Sequence, residues 1–211
     1  MMKLDEIAIN IELVLVSLIE GVALVTLAEH AAEILHGPDA LVSIPYILAG
    51  LAIILAFWSQ SILHAVSFIR WPVRVEHMFL YFVAGFIQVI AYTNIDAATA
   101  WFFWWSIFTL VALLMYALDL RIIRESRARF PAVFLAEVER RHIYEMKYLV
   151  PIALVFNAGA LAFAFFFPET FSTGIGFFVL GSLQLLISLL AIYDCTKNFR
   201  DRSAMIAKLN T

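Results

Sequence analysis

The sequence predicts an all-α, polytopic integral membrane protein with six transmembrane helices and both termini in the cytoplasm. The chain is 64% hydrophobic and only 15% charged, whereas soluble domains have roughly 45–50% apolar and about 25% charged residues. Its apolar residues are grouped into long runs, and its basic residues fall only near the two termini and between alternate runs. We therefore expect residues 1–211 to form a single transmembrane domain.

Six apolar segments are separated by short connections that contain proline, glycine or acidic residues. Each segment approaches the roughly 20 residues that a helix needs to cross the hydrocarbon core. The segments are residues 7–28, 41–63, 75–95, 98–120, 148–167 and 171–193.

The basic residues give the predicted orientation. All 14 Lys and Arg lie at the N-terminus, in the second and fourth connections, or at the C-terminus. With both termini inside, every basic residue is cytoplasmic, as the positive-inside rule requires. An odd number of spans would break this pattern.

The first segment has two polar sides. In a helical projection of this segment, at about 100° per residue, one face combines aliphatic residues with acidic residues at the predicted outer end of the helix. The members of this face are Leu18, Val22, Val25, Glu29, Glu33 and His36. Its outer end is either a solvated helix terminus or an acidic mouth that concentrates cations.

Glu20 points to nearly the opposite side of the same helix, at mid-membrane depth. A carboxylate there needs a partner, and the polar residues predicted at similar depth are Gln88, Thr109, Asn157 and Gln184. These groups are either hydrogen-bonding contacts between helices or a proton and substrate site. Ser59, Gln60 and His64 make the inner half of the second segment polar, and either line an inner cavity or pack together.

The fourth segment opens with an aromatic run, residues 101–105, which lies either at the outer interface of the membrane or in packing contacts between helices. At the inner ends, Asp119 and Asp194 are expected to pair with nearby basic residues, namely Arg121, Arg124 or Lys197.

Residues 121–147 are the one sizeable polar segment, and their apolar positions lie along one helical side. This pattern predicts either an interfacial amphipathic helix or a cytoplasmic extension of the fifth span.

Metal, cofactor and nucleic-acid sites are not predicted. Glu29, Glu33 and His36 have spacing that could hold a metal, but the other histidines are scattered and Cys195 is the one cysteine. We therefore predict no enzyme activity, and a membrane metalloenzyme is the less favoured alternative. The chain also lacks the aromatic-interleaved basic stripe of a nucleic-acid binder.

The first two segments resemble the bacterial members of the transmembrane protein 175 family of potassium-permeable channels. That family carries Phe-Ser-Asp, often followed by Gly-Val, where this chain has Leu18-Ile19-Glu20-Gly21-Val22. Its second helix starts with Pro-Tyr and later has a tryptophan and then a histidine, matched here by Pro45, Tyr46, Trp58 and His64.

The resemblance implies a tetramer in the bacterial inner membrane, with first helices around a pore that aliphatic rings close. Leu18, Val22 and Val25 would form the constriction, and Glu20 would be the structural acid.

The sequence thus predicts a homo-oligomeric cation channel, with potassium as the candidate ion and the bilayer and monovalent cations as partners. A proton-coupled small-solute transporter that uses Glu20 is one alternative. A non-conducting accessory or effector subunit is another.

Overall fold

The computed structural model of the chain describes residues 2–66, 75–125, 132–171 and 173–209. Within these ranges all regular structure is helical, which confirms the predicted all-α class. A π-helical turn, Glu145–Leu149, joins α5 to α6. The α-helices are α1 (Met2–Leu35), α2 (Ala40–Val66), α3 (Val75–Tyr92), α4 (Ala98–Glu125), α5 (Ala132–Tyr144), α6 (Val150–Phe166), α7 (Pro168–Phe171) and α8 (Gly174–Leu209).

Five of the described helical stretches are long and apolar enough to cross a membrane. They are Leu13–Leu35, Ala40–Leu63, Ala98–Glu125, Ala132–Phe166 and Gly174–Asp201. The apolar part of α3, Glu76–Tyr92, is shorter. The chain is therefore built of membrane-type helices, while the count of six spans and the orientation stay predictions.

The polar segment 121–147 continues directly into the next apolar helix. Helix α5, the π-helical turn and α6 form one stretch of 35 residues, Ala132–Phe166. Residues 132–147 of the segment are thus continuous with the apolar helix, while their place at the membrane surface or in the cytoplasm stays a prediction. Its apolar side packs against α4, with Phe134, Leu135 and Val138 all buried.

Neighbouring helices follow one another around the bundle. Helix α1 packs on α2 and α3, α3 packs on α4, α4 packs on α6, and α2 makes its most extensive contact with α8. Over their described residues, α6 and α8 do not make extensive contact with each other. The helices therefore surround an interior that is covered least between α6 and α8.

The aromatic run of α4 contributes three residues to the core, while its place at the outer interface of the membrane stays a prediction. Trp101, Phe102 and Trp105 are buried, whereas Phe103 is exposed. The helical period explains the division, because positions 101, 102 and 105 share the side of α4 that faces the other helices. A run of consecutive aromatic residues does not by itself show which of them face the core and which face lipid.

Tyr46 fixes the contact between α2 and α8. Its ring stacks on Phe177 with centroids 4.1 Å apart, and its hydroxyl donates to the Phe177 carbonyl over 3.1 Å. A Cβ atom at Gly181 would overlap this ring. The glycine therefore allows the close approach of two helices that is common in membrane bundles.

We expect Gly181→Ala to destabilise the protein by about 1–3 kcal/mol, because the buried Tyr46 ring must move to admit the methyl group. Gly159→Ala is the matched control, since a Cβ there meets nothing within 4 Å. A helix-interior alanine should stabilise by about 0.5–1 kcal/mol. Thermal unfolding in detergent measures both, and equal shifts in Tm would contradict the packing assigned to Gly181.

Candidate functional site

Helix α1 turns two different faces to its surroundings. Leu18, Val22 and Val25 are 62%, 52% and 57% exposed, whereas Glu20 on the other face is 4% exposed. The C-terminal end of the exposed face carries further polar residues, and these are Glu29, Glu33 and His36. The structure thus places the six residues of the predicted stripe on the outside of the single chain.

Glu20 connects α1 to α3. The Gln88 amide donates to Glu20 Oε1 over 3.2 Å, and both side chains are buried. The Tyr92 hydroxyl lies 3.4 Å from Gln88 Oε1 and 3.1 Å from the Gly50 carbonyl, which brings α2 into the same contact. This arrangement holds three helices together around the acid.

Asn157 and Gln184 are buried, as predicted, but the hydrogen bonds described for them are with residues other than Glu20. Asn157 donates to Thr109 Oγ1 over 3.2 Å, and Gln184 accepts from Trp101 Nε1 over 2.7 Å. The reason is the order of helices, because α1 packs on α2 and α3 while α6 packs on α4. Equal depth along a bundle does not make two helices neighbours.

A cavity of about 230 Å³ lies between α2, α4, α6 and α8. Its middle is aromatic, with walls from Phe57, Tyr81, Trp105, Phe108 and Phe156. Amide and hydroxyl groups of Thr109, Asn157, Gln184 and Ser188 also line it. The end towards the C-terminus of α4, called the inner end after the predicted orientation, is lined by Gln60, Tyr116, Asp119, Glu145, Asp194 and Cys195.

Glu145 is the centre of the polar contacts at this inner end, although it is only 2% exposed. Its carboxylate accepts from Gln60 Nε2 over 3.2 Å, from Asn198 Nδ2 over 3.1 Å and from Arg141 Nε over 3.1 Å. The Arg141 guanidinium also pairs with Asp194. One carboxylate therefore links α2, α5 and α8.

The π-helical turn places Glu145 in this position. Pro151 follows at the start of α6 and has no backbone N–H to donate to the preceding turn. The Val150 N–H bonds to the Glu145 carbonyl, five residues earlier. Such widened turns occur often at functional sites, and here the turn coincides with a buried acid.

Asp119 has two imidazoles beside it. His77 Nε2 lies 3.0 Å from one carboxylate oxygen, and His142 Nε2 lies 3.7 Å from the other. The nitrogen of His142 is also 3.0 Å from the Tyr116 carbonyl. This cluster joins α3, α4 and α5 in the buried interior.

The predicted partners of Asp119 and Asp194 are therefore wrong. Arg121 pairs with Glu125, and Arg124 pairs with Glu139. Helix α5 folds back on α4 and brings residues 141 and 142 to these acids. The usable signal in the sequence was the spacing of His142, four residues after the apolar Val138 on the same side of α5.

The predicted polar residues of α2 have different surroundings. Gln60 is half-buried and lines the cavity, where its Oε1 also accepts from Cys195 Sγ over 2.8 Å. Ser59 is exposed and borders a separate groove between α2 and α8, so its assignment as a buried polar residue is wrong. Adjacent residues on a helix point about 100° apart, which separates the two. The His64 side chain lies outside the described residues.

In the part of the chain that the structure describes, no group of three or more His, Cys, Asp or Glu side chains is arranged to hold a metal ion. His36 Nδ1 instead donates to the Ala32 carbonyl within its own helix over 2.6 Å. The Glu29, Glu33 and His36 pattern therefore does not form a metal centre within one chain.

Comparison with known proteins found no matching family model, no matching curated protein and no matching solved structure.

We expect Arg141→Ala to destabilise the protein by about 3 kcal/mol, because it leaves the Glu145 and Asp194 carboxylates without their shared cation in the interior. Arg140→Ala is the control. The Arg140 side chain is 77% exposed, and among the ion pairs of the described residues it pairs only with Glu137. Thermal unfolding should show a lower Tm for the first variant and an unchanged Tm for the second. Equal effects would mean that the inner ion pairs do not hold the bundle together.

Proposed function

We propose that the protein is an oligomeric cation channel in which the α1 helices of several copies surround the pore. The observation that supports this proposal is the exposed face of α1. It combines the aliphatic side chains of Leu18, Val22 and Val25 with two carboxylates at one end. Packed around a symmetry axis, such a face gives an apolar constriction below an acidic mouth.

Each part of this face has a physical role in the proposal. Rings of aliphatic side chains close the pore by dewetting and by removing water from the ion. Glu29 and Glu33 raise the local concentration of cations at the outer mouth, an effect that grows with the number of copies.

The proposal includes six spans, with α3 as the shortest, and both termini in the cytoplasm. The alternation of basic and non-basic connections supports this orientation. Tetrameric assembly, potassium as the ion and the bacterial inner membrane are proposed from the family resemblance of the first two helices.

The contacts of Glu20 favour a structural role over a transport role. Its partner Gln88 and the neighbouring Tyr92 are both buried, and Glu20 does not line the cavity between α2, α4, α6 and α8. A proton-coupled carrier needs an acid that substrate or water can reach from either side. Channel activity therefore fits the geometry of α1 better.

The test is cation flux from liposomes that contain the purified protein. We expect Val25→Ala to raise the flux several-fold, because it removes two methyl groups per copy from the constriction. We expect Glu29→Gln to reduce the preference for cations over anions, because it removes one negative charge per copy from the mouth.

Matched controls lie elsewhere on the surface. Val155→Ala changes a valine of α6 that is 72% exposed, and Glu169→Gln changes an exposed acid of α7. Neither should alter flux or selectivity. Unchanged flux and selectivity in both α1 variants would reject α1 as the pore helix, and no flux from the unmodified protein would reject the channel.

A further inference from the structure

We propose that the cavity between α2, α4, α6 and α8 binds a small amphipathic amine. The ammonium group would lie at the inner end, near Asp119, Glu145 and Asp194, and the apolar body would lie between the aromatic walls. This site is formed within one chain and does not depend on the pore proposed above.

The charge of the inner end favours a cation. Three carboxyl groups line this part of the cavity, and among the described residues that line it there is no Lys, Arg or His. Basic groups also contact these acids from outside the cavity lining, among them Arg141, His77 and His142. Glu145 also accepts from Gln60 and Asn198, so the attraction for an ammonium group rests on charge: against three carboxyl groups, Arg141 is the one permanently charged group among these contacts.

The walls suit an aromatic or aliphatic body. Trp105, Phe108 and Tyr81 line the middle of the cavity. Aromatic faces attract a nearby ammonium through the ring quadrupole, and this attraction increases where water is excluded. A neutral apolar molecule would gain the wall contacts but would lose the attraction of the acids.

Two buried polar atoms in the lining residues mark a further contact. Asn157 Oδ1 and Trp105 Nε1 have no hydrogen-bond partner among the described residues, although the two side chains are only 5% and 1% exposed. Most buried polar groups in proteins are hydrogen-bonded. One acceptor and one donor thus remain for a polar group on the ligand.

The size and position of the cavity restrict the ligand. A volume of about 230 Å³ is smaller than the roughly 300–1,000 Å³ of sites for drug-sized molecules, so an arylalkylamine fits better than a larger ligand. Since α6 and α8 do not pack extensively on each other, an amphipathic molecule can reach the cavity between them from the bilayer.

The test compares tryptamine with tryptophol, in which a hydroxyl replaces the amine. Equilibrium dialysis of the radiolabelled compounds against the full-length protein in nanodiscs, with empty nanodiscs subtracted, measures binding. We expect saturable tryptamine binding that is at least tenfold tighter than tryptophol binding. Equal affinity for the two compounds, or no saturable tryptamine binding, would overturn the proposal without the use of any variant.

Variants then locate the site. Ala112→Phe fills the cavity from α4, and Glu145→Gln removes a charge from its inner end. Each should weaken tryptamine binding at least tenfold in protein that remains monodisperse. Glu169→Gln, at an exposed position of α7 away from the cavity lining, should leave binding unchanged. Unchanged binding in Ala112→Phe would place the amine elsewhere and overturn the proposal.

Discussion

A polar side chain inside hydrocarbon must find its partner within the protein, and the arrangement of this bundle depends on that constraint. Apolar packing alone distinguishes poorly between helix neighbours, because lipid tails are as apolar as leucine. The Glu20–Gln88 contact ties α1 to α3, and the Asn157–Thr109 contact ties α6 to α4. Each hydrogen bond selects one neighbour and one rotation of the helix that carries it.

The same constraint explains why α5 belongs to the bundle. Its apolar side covers the end of α4, and its last turn delivers Arg141 and His142 to acids on α8 and α4. The π-helical turn before Pro151 then places Glu145 inside. Removal of any one of these groups would leave a charge or a dipole in the interior without compensation.

Features that depend on local periodicity could be predicted from the sequence. The helical class and the two faces of α1 follow from the spacing of apolar residues, which one helix determines by itself. The identity of the Glu20 partner could be predicted only in part, since Gln88 was one of three amides proposed for that depth.

Features that depend on which helices are neighbours could not be predicted. Asp119 meets His77 because α3 packs on α4, and it meets His142 because α5 folds back on α4. Trp101 is buried because α4 lies between other helices. Separation in sequence carries no information on either arrangement. The cavity is likewise visible only when α2, α4, α6 and α8 are placed together.

The most direct test of the proposed assembly is disulfide crosslinking in native membranes. Cys195 is the one cysteine of the chain, so Cys195→Ser gives a background into which Val25→Cys or Val155→Cys is introduced. Both positions are exposed on the single chain, on α1 and α6 respectively. If α1 helices meet around an axis, oxidation will link copies at position 25 and not at position 155. Linking at position 155 alone, or at neither position, would contradict an α1-lined pore.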